Sequence, residues 1–136
     1  MDPHLTCFAD LLAASTRQPE PQRLLFVFAS IDPLEDPPGS HTGHAVENPG
    51  RSLTPRLCVD KAPGEIADFA ALVAESRTTG QDWDIVFVAS LPGRAGIAPS
   101  ADEAAQPLRF MVDAINNGRA REFAAFDREG GVLVFG

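Results

Sequence analysis

Three groups of residues in this chain carry side chains able to do chemistry. His41-Thr-Gly-His44 sets two imidazoles at a spacing that some metal sites use, and His4 with Cys7 offers a second pair. A structural zinc site needs four ligands. Both pairs lie in segments with few apolar anchors and no fixed acid or thiol beside them, so solvated histidines are expected, with no metal and no cofactor. Cys58, two residues from Asp60, has the chemistry of a nucleophile. No histidine falls where a fold would deliver its base, and a free thiol packed in the core is the expectation.

The third group is a candidate anion site. Cys58-Val-Asp60-Lys61 would end one strand and feed a helix, while Ser90 would end another and feed Leu91-Pro-Gly93-Arg94-Ala-Gly96. Ligands of open α/β sheets gather at such strand ends, where backbone N–H groups of helix starts suit a carboxylate or phosphate. The ligand-binding candidates are therefore Asp60, Lys61, Ser90, Gly93, Arg94 and Gly96. The plainer reading is that Asp60 and Lys61 solvate a strand end and the glycines only turn the chain, because Gly93-Arg-Ala-Gly96 is neither a Walker nor a dinucleotide fingerprint. No residue is assigned a catalytic role.

The elements that would position these groups follow from hydrophobic periodicity. Thr6 is placed as the N-cap of a short helix bearing Phe8, Leu11 and Leu12, which Gln18-Pro-Glu-Pro21 stops. Arg23 to Ile31 is apolar without alternation, the pattern of a central strand buried on both faces. From Asp32 to Pro55 five prolines, three glycines and two histidines support no regular element, so a long mobile loop is expected there. Arg56 to Asp60 reads as a short strand with Leu57 and Val59 on one face. A helix is then predicted from Pro63 to Gly80, burying Ile66, Phe69, Ala70 and Val73.

Asp84 to Ala89 is a second apolar run, giving a strand–helix–strand unit with parallel strands. Trp83 is expected either to cover the sheet where helix gives way to strand or to anchor a contact with another chain. Ser100 and Glu103 form a capping box for a helix carrying Leu108, Met111, Val112 and Ile115, with a kink or restart at Pro107. Phe123 to Phe126 and Val132 to Phe135 form a C-terminal antiparallel hairpin around Glu129-Gly-Gly131. The expected fold is a single α/β domain over residues 1–136, with a mixed sheet of about five strands and helices packed on it.

Composition narrows the partners. The 136 residues carry a formal net charge of −8, which repels phosphate backbones and anionic lipid, so nucleic acid is not an expected partner. No apolar run approaches membrane-spanning length, and Met-Asp-Pro-His lacks the pattern of a signal peptide, which gives a cytoplasmic setting and two reduced cysteines as expectations. Lysine occurs once, at Lys61, against ten arginines, a bias that GC-rich coding accounts for.

Several blocks are similar to a known family: Arg17-Gln-Pro-Glu-Pro-Gln-Arg-Leu-Leu-Phe-Val-Phe-Ala29, Cys58-Val-Asp-Lys61, Ala67-Asp-Phe-Ala-Ala-Leu-Val-Ala-Glu-Ser-Arg77, Thr79-Gly-Gln-Asp-Trp-Asp-Ile-Val-Phe-Val-Ala89 and Phe123-Ala-Ala-Phe-Asp-Arg128. Through them the chain resembles a small proteobacterial family often labelled ribonucleotide reductase subunit alpha, a likeness that spans most of the chain outside 32–55 and implies no mechanism. The label fails on chemistry. A reductase of that kind needs a large barrel, a radical-carrying cysteine and a reducing cysteine pair, and two cysteines in one small domain cannot supply three thiols. The expectation is a non-catalytic interaction or regulatory module with a protein partner, the alternative a small-anion or metabolite site at the strand ends. A homodimer is expected through the apolar edge Val132-Leu-Val-Phe135.

Overall fold

A computed structural model describes residues 7–33 and 51–133. Helix α1 (Phe8–Thr16) starts from Cys7, whose backbone is extended and whose side chain makes no cap. The N-cap is thus one residue beyond the expected Thr6. The start is held instead by Phe8 N–H donating to Gly130 O at 2.9 Å and by a bridge from Cys7 to Gly131.

Strands β1 (Gln22–Pro33) and β2 (Arg51–Lys61) pair antiparallel from Leu24↔Lys61 to Pro33↔Arg51. The expected loop at 32–55 is therefore strand at both ends, and its remaining residues, 34–50, lie outside the described ones. Proline content misled here because β2 is the outermost strand, where Pro55 can sit without breaking a ladder on its free side. The register shift between Phe28 and Ala29, beside Pro55, absorbs the irregularity.

The helix expected from Pro63 is two pieces. Pro63–Glu65 is a 3-10 turn, Ile66 is extended and buried, and helix α2 (Phe69–Arg77) begins after Asp68, whose carboxylate accepts from Ala71 N–H at 2.8 Å. A capping aspartate outcompetes the proline start. The register moves with it: Ala70 is exposed, while Leu72 and Ser76 are buried. Gly80, at φ +78°, follows the helix end.

Strand β3 (Ile85–Pro92) pairs antiparallel with β1, from Gln22↔Pro92 to Ala29↔Ile85. Helix α3 (Ala101–Asn116) carries the predicted capping box and runs without restart through Pro107. Strands β4 (Ala124–Phe126) and β5 (Val132–Leu133) close the sheet in the order β2-β1-β3-β4-β5. Their turn is built by Asp127, whose Oδ1 accepts from Glu129 and Gly131 N–H at 2.9 Å each.

The layered α/β domain, the five strands and the terminal hairpin are as expected, but every neighbouring pair is antiparallel, not mixed. β2 and β3 do run in the same direction around α2. They are separated by β1, because the β1–β2 hairpin had already taken one side of β1 and left only the other for β3.

Alternation along the strands divides the interior into two layers. Leu24, Phe26, Phe28, Val86, Val88 and Phe126 pack with Phe8, Leu72 and Trp83 under α1 and α2. Leu25, Val27, Ala29, Ile85 and Phe87 pack with Ala104, Met111 and Ile115 of α3. Among the described residues no helix is long and apolar enough to cross a membrane.

Candidate functional site

The carboxyl ends of β2 and β3 flank the start of β1, and one row of the sheet reads Lys61, Leu24, Ser90. The next row reads Asp60, Leu25, Ala89. Because successive side chains alternate, Asp60 and Lys61 leave the sheet on opposite faces. Asp60 Oδ2 accepts from Arg23 Nε at 2.6 Å, both side chains being mostly buried. Lys61 Nζ lies 2.9 Å from Glu75 of α2, and Ser90 Oγ donates to Gln22 Oε1 at 2.6 Å. The three candidates at the strand ends are thus engaged with three different partners.

The helix starts are equally occupied. Glu65 Oε1 accepts from Ala62 N–H at 2.8 Å, Glu103 Oε1 accepts from Ser100 N–H at 2.8 Å, and Ser100 Oγ accepts from Glu103 N–H at 3.1 Å. At both starts the chain's own side chains take the N-cap N–H, and at α3 also the Glu103 N–H, which an anion would otherwise compete for.

Gly93, Arg94 and Gly96 stand apart from that row in a tight hairpin. Arg94 and Ile97 exchange backbone bonds of 3.0 and 2.9 Å around Ala95 and Gly96, whose φ values of 54° and 79° are those of a type I′ turn. Two bonds tether the hairpin to the segment before β1: Gly93 N–H to Pro21 O, 2.8 Å, and Gly96 N–H to Glu20 Oε1, 2.8 Å. Gly93 is required by space, since a Cβ there would stand 2.1 Å from Ile97 O and 2.9 Å from Pro21 O.

Between this hairpin and α3 lies a groove of about 1040 Å³ whose floor and walls include Leu91, Pro92, Pro99, Pro107, Ile97 and Phe110. Ile97 is 72% exposed and Phe110 52% exposed, the two most exposed large apolar residues among those described. The Arg119 guanidinium stands 5.8 Å from the Phe110 ring centroid, a cation–π distance. The charged lining residues are Arg94, Asp102 and Glu103. Arg94, 88% exposed, reaches Glu103 at 3.7 Å, whereas the carboxylate of Asp102 makes no hydrogen bond or ion pair with the described residues.

Of the sequence candidates, the groove gathers Gly93 and Arg94, and Gly96 shares their hairpin. Ile97, Asp102 and Phe110 were missed. For the two apolar residues the signal was apolarity out of pattern: Phe110 falls beside the Leu108, Met111, Val112 and Ile115 stripe of α3, and Ile97 is the one large apolar side chain among the glycines, alanines and prolines of 92–99.

One other expectation needs correction, and one pair of alternatives is decided. Cys58 is exposed, not core, because its strand is the sheet edge; neighbouring atoms still remove enough water to push its thiol pKa upward. Of the two roles expected for Trp83, the structure shows the first: it covers the sheet between α2 and β3 and is buried there. His4, His41 and His44 lie outside the described residues, and among those described no three of His, Cys, Asp or Glu gather into a group that could hold a metal ion. No family model, curated protein or solved structure matches the chain.

Proposed function

We propose that the chain is a non-catalytic interaction module that holds a segment of a partner polypeptide in the groove between the Arg94–Ile97 hairpin and α3. One observation carries this reading: the most exposed large apolar side chains among the described residues, Ile97 and Phe110, flank the same concave surface. Exposed apolar residues converging on a groove are a mark of association surfaces. The hairpin wall is tethered by Gly93 N–H to Pro21 O and by Gly96 N–H to the Glu20 carboxylate, so little ordering cost opposes binding.

The test is selection of a random dodecapeptide display library on the wild-type chain, with binders re-measured on Ile97→Asp and Phe110→Asp. The reading expects a recurrent sequence whose affinity falls about tenfold or more on either variant, roughly 1.4 kcal/mol. Binders indifferent to both substitutions, or no recurrent sequence, would overturn it.

A second reading, a small-anion or metabolite site, is favoured by the exposure of Arg94 and its long contact to Glu103. Its own test is an NMR titration with phosphate, sulfate and small carboxylates. Shifts concentrated at Gly93, Arg94 and Gly96 would support it, and shifts scattered over the surface would remove it.

A further inference from the structure

The charges along the groove say more about its occupant than its apolar walls do. Two carboxylates and one guanidinium line it, and the guanidinium of Arg94 is already directed at Glu103 Oε2, 3.7 Å away. Glu103 is also committed through Oε1 to Ser100 N–H at 2.8 Å. A further carboxylate, Glu20, is bound to the hairpin itself through Gly96 N–H. Asp102 alone among the lining charges has no partner in the described residues. At the start of α3 the capping box satisfies the Ser100 and Glu103 N–H groups, and the carboxylates of Asp102 and Glu103 in the first turn oppose a bound anion at this end of the groove.

We infer that the segment bound in the groove is cationic as well as apolar, with a Lys or Arg side chain on Asp102 and apolar side chains against Ile97 and Phe110. The inference rests on the interaction-module reading and names its partner chemistry. The chain's net charge of −8 acts in the same direction, drawing a basic segment toward an acidic surface before contact.

Geometry adds a spacing rule. Asp102, Gln106 and Phe110 follow one another at four-residue intervals along α3, so Asp102 and Phe110 stand about 12 Å apart along the helix axis. An extended segment covers that distance in about four residues. The bound sequence should therefore place its basic residue about four positions from an apolar one.

The experiment uses the dodecapeptides recovered on the wild-type chain, synthesised with a fluorescent label and titrated by anisotropy. Lys or Arg should recur about four positions from a Leu, Ile, Phe or Met. Asp102→Asn should weaken binding about tenfold, Asp102→Glu should restore most of it, and raising the salt should erase the difference between wild type and Asp102→Asn. Peptides that depend on Ile97 and Phe110 but carry no basic preference, or ignore Asp102→Asn, would overturn this inference and leave the interaction module standing. The absence of any Ile97-dependent peptide would remove the module itself. A concentration-dependent dimer in sedimentation that Ile97→Asp dissolves would assign the groove to a second copy of this chain and likewise overturn the inference.

Discussion

The indole Nε1 of Trp83 donates to Ser76 Oγ at 2.8 Å, and both residues are buried. Ser76 Oγ in turn donates to Val73 O at 2.7 Å, so one hydroxyl links the last turns of α2 to the residue that hands over to β3. Trp83 also meets the Phe28 ring edge-on, with centroids 4.9 Å apart. Ser76→Ala leaves the indole N–H without an acceptor in a dry layer, and the expected loss is about 1–3 kcal/mol in urea unfolding. A loss within experimental error would show that water reaches the site.

Gly93→Ala is expected to destabilise the domain although it adds a single methyl. The added carbon meets two backbone oxygens, neither of which can rotate away, so the hairpin must move off Pro21. Over-packing of this kind costs about 1–3 kcal/mol. The expected readout is a lower melting temperature, with amide shifts confined to residues 20–22 and 92–98. Gly96→Ala, where nothing lies within 4 Å of the new carbon, is the control for backbone strain alone.

Two phenylalanines should part company on truncation. Phe126 is fully buried and packs edge-on against Phe8 with centroids 5.6 Å apart, so Phe126→Ala should cost about 3–5 kcal/mol. Phe110→Ala should cost no more than about 1 kcal/mol, its main loss being the contact with Arg119. A large loss at Phe110 in chemical denaturation would mean that the side chain supports the fold and would weaken its assignment to the groove.

Partial desolvation by neighbouring atoms favours the neutral thiol of the otherwise exposed Cys58 and holds its pKa above the ordinary value. The folded chain then keeps this proton at pH values where the unfolded chain has lost it. The contribution to stability is fully present below the ordinary thiol pKa and is lost as pH rises through the folded value. Alkylation of Cys58 by iodoacetamide should accordingly reach half its maximal rate at a higher pH in the native chain than in urea. Coincident profiles would contradict the desolvation.

Much of the scaffold was legible in the sequence because burial periodicity is local. The apolar runs of β1 and β3, the Ser100 capping box and the terminal hairpin could each be read from a short window of residues. What could not be read was which strand sits beside which. β2 and β3 run parallel around a helix, as their sequence suggested, yet β1 lies between them, and nothing within β2 or β3 records that neighbour. The candidate site suffered for the same reason. Arg23 and Asp60 are 37 positions apart in the chain, so the ion pair that occupies Asp60 was invisible; Lys61 faces the other way because β2 runs one residue beyond the expected strand end.

The position of β1 has a consequence for how the domain comes apart. Its even-numbered residues Leu24, Phe26 and Phe28 belong to one apolar layer, and its odd-numbered Leu25, Val27 and Ala29 to the other. Hydrogen bonds leave it on both edges, toward β2 and β3. Releasing either layer from the sheet exposes one side of this strand and removes the platform on which the opposite layer rests. The two half-cores share these twelve residues of backbone, and this sharing should couple their melting. Heat unfolding is therefore expected to be a single cooperative event, and scanning calorimetry checks it by the agreement of calorimetric and van't Hoff enthalpies.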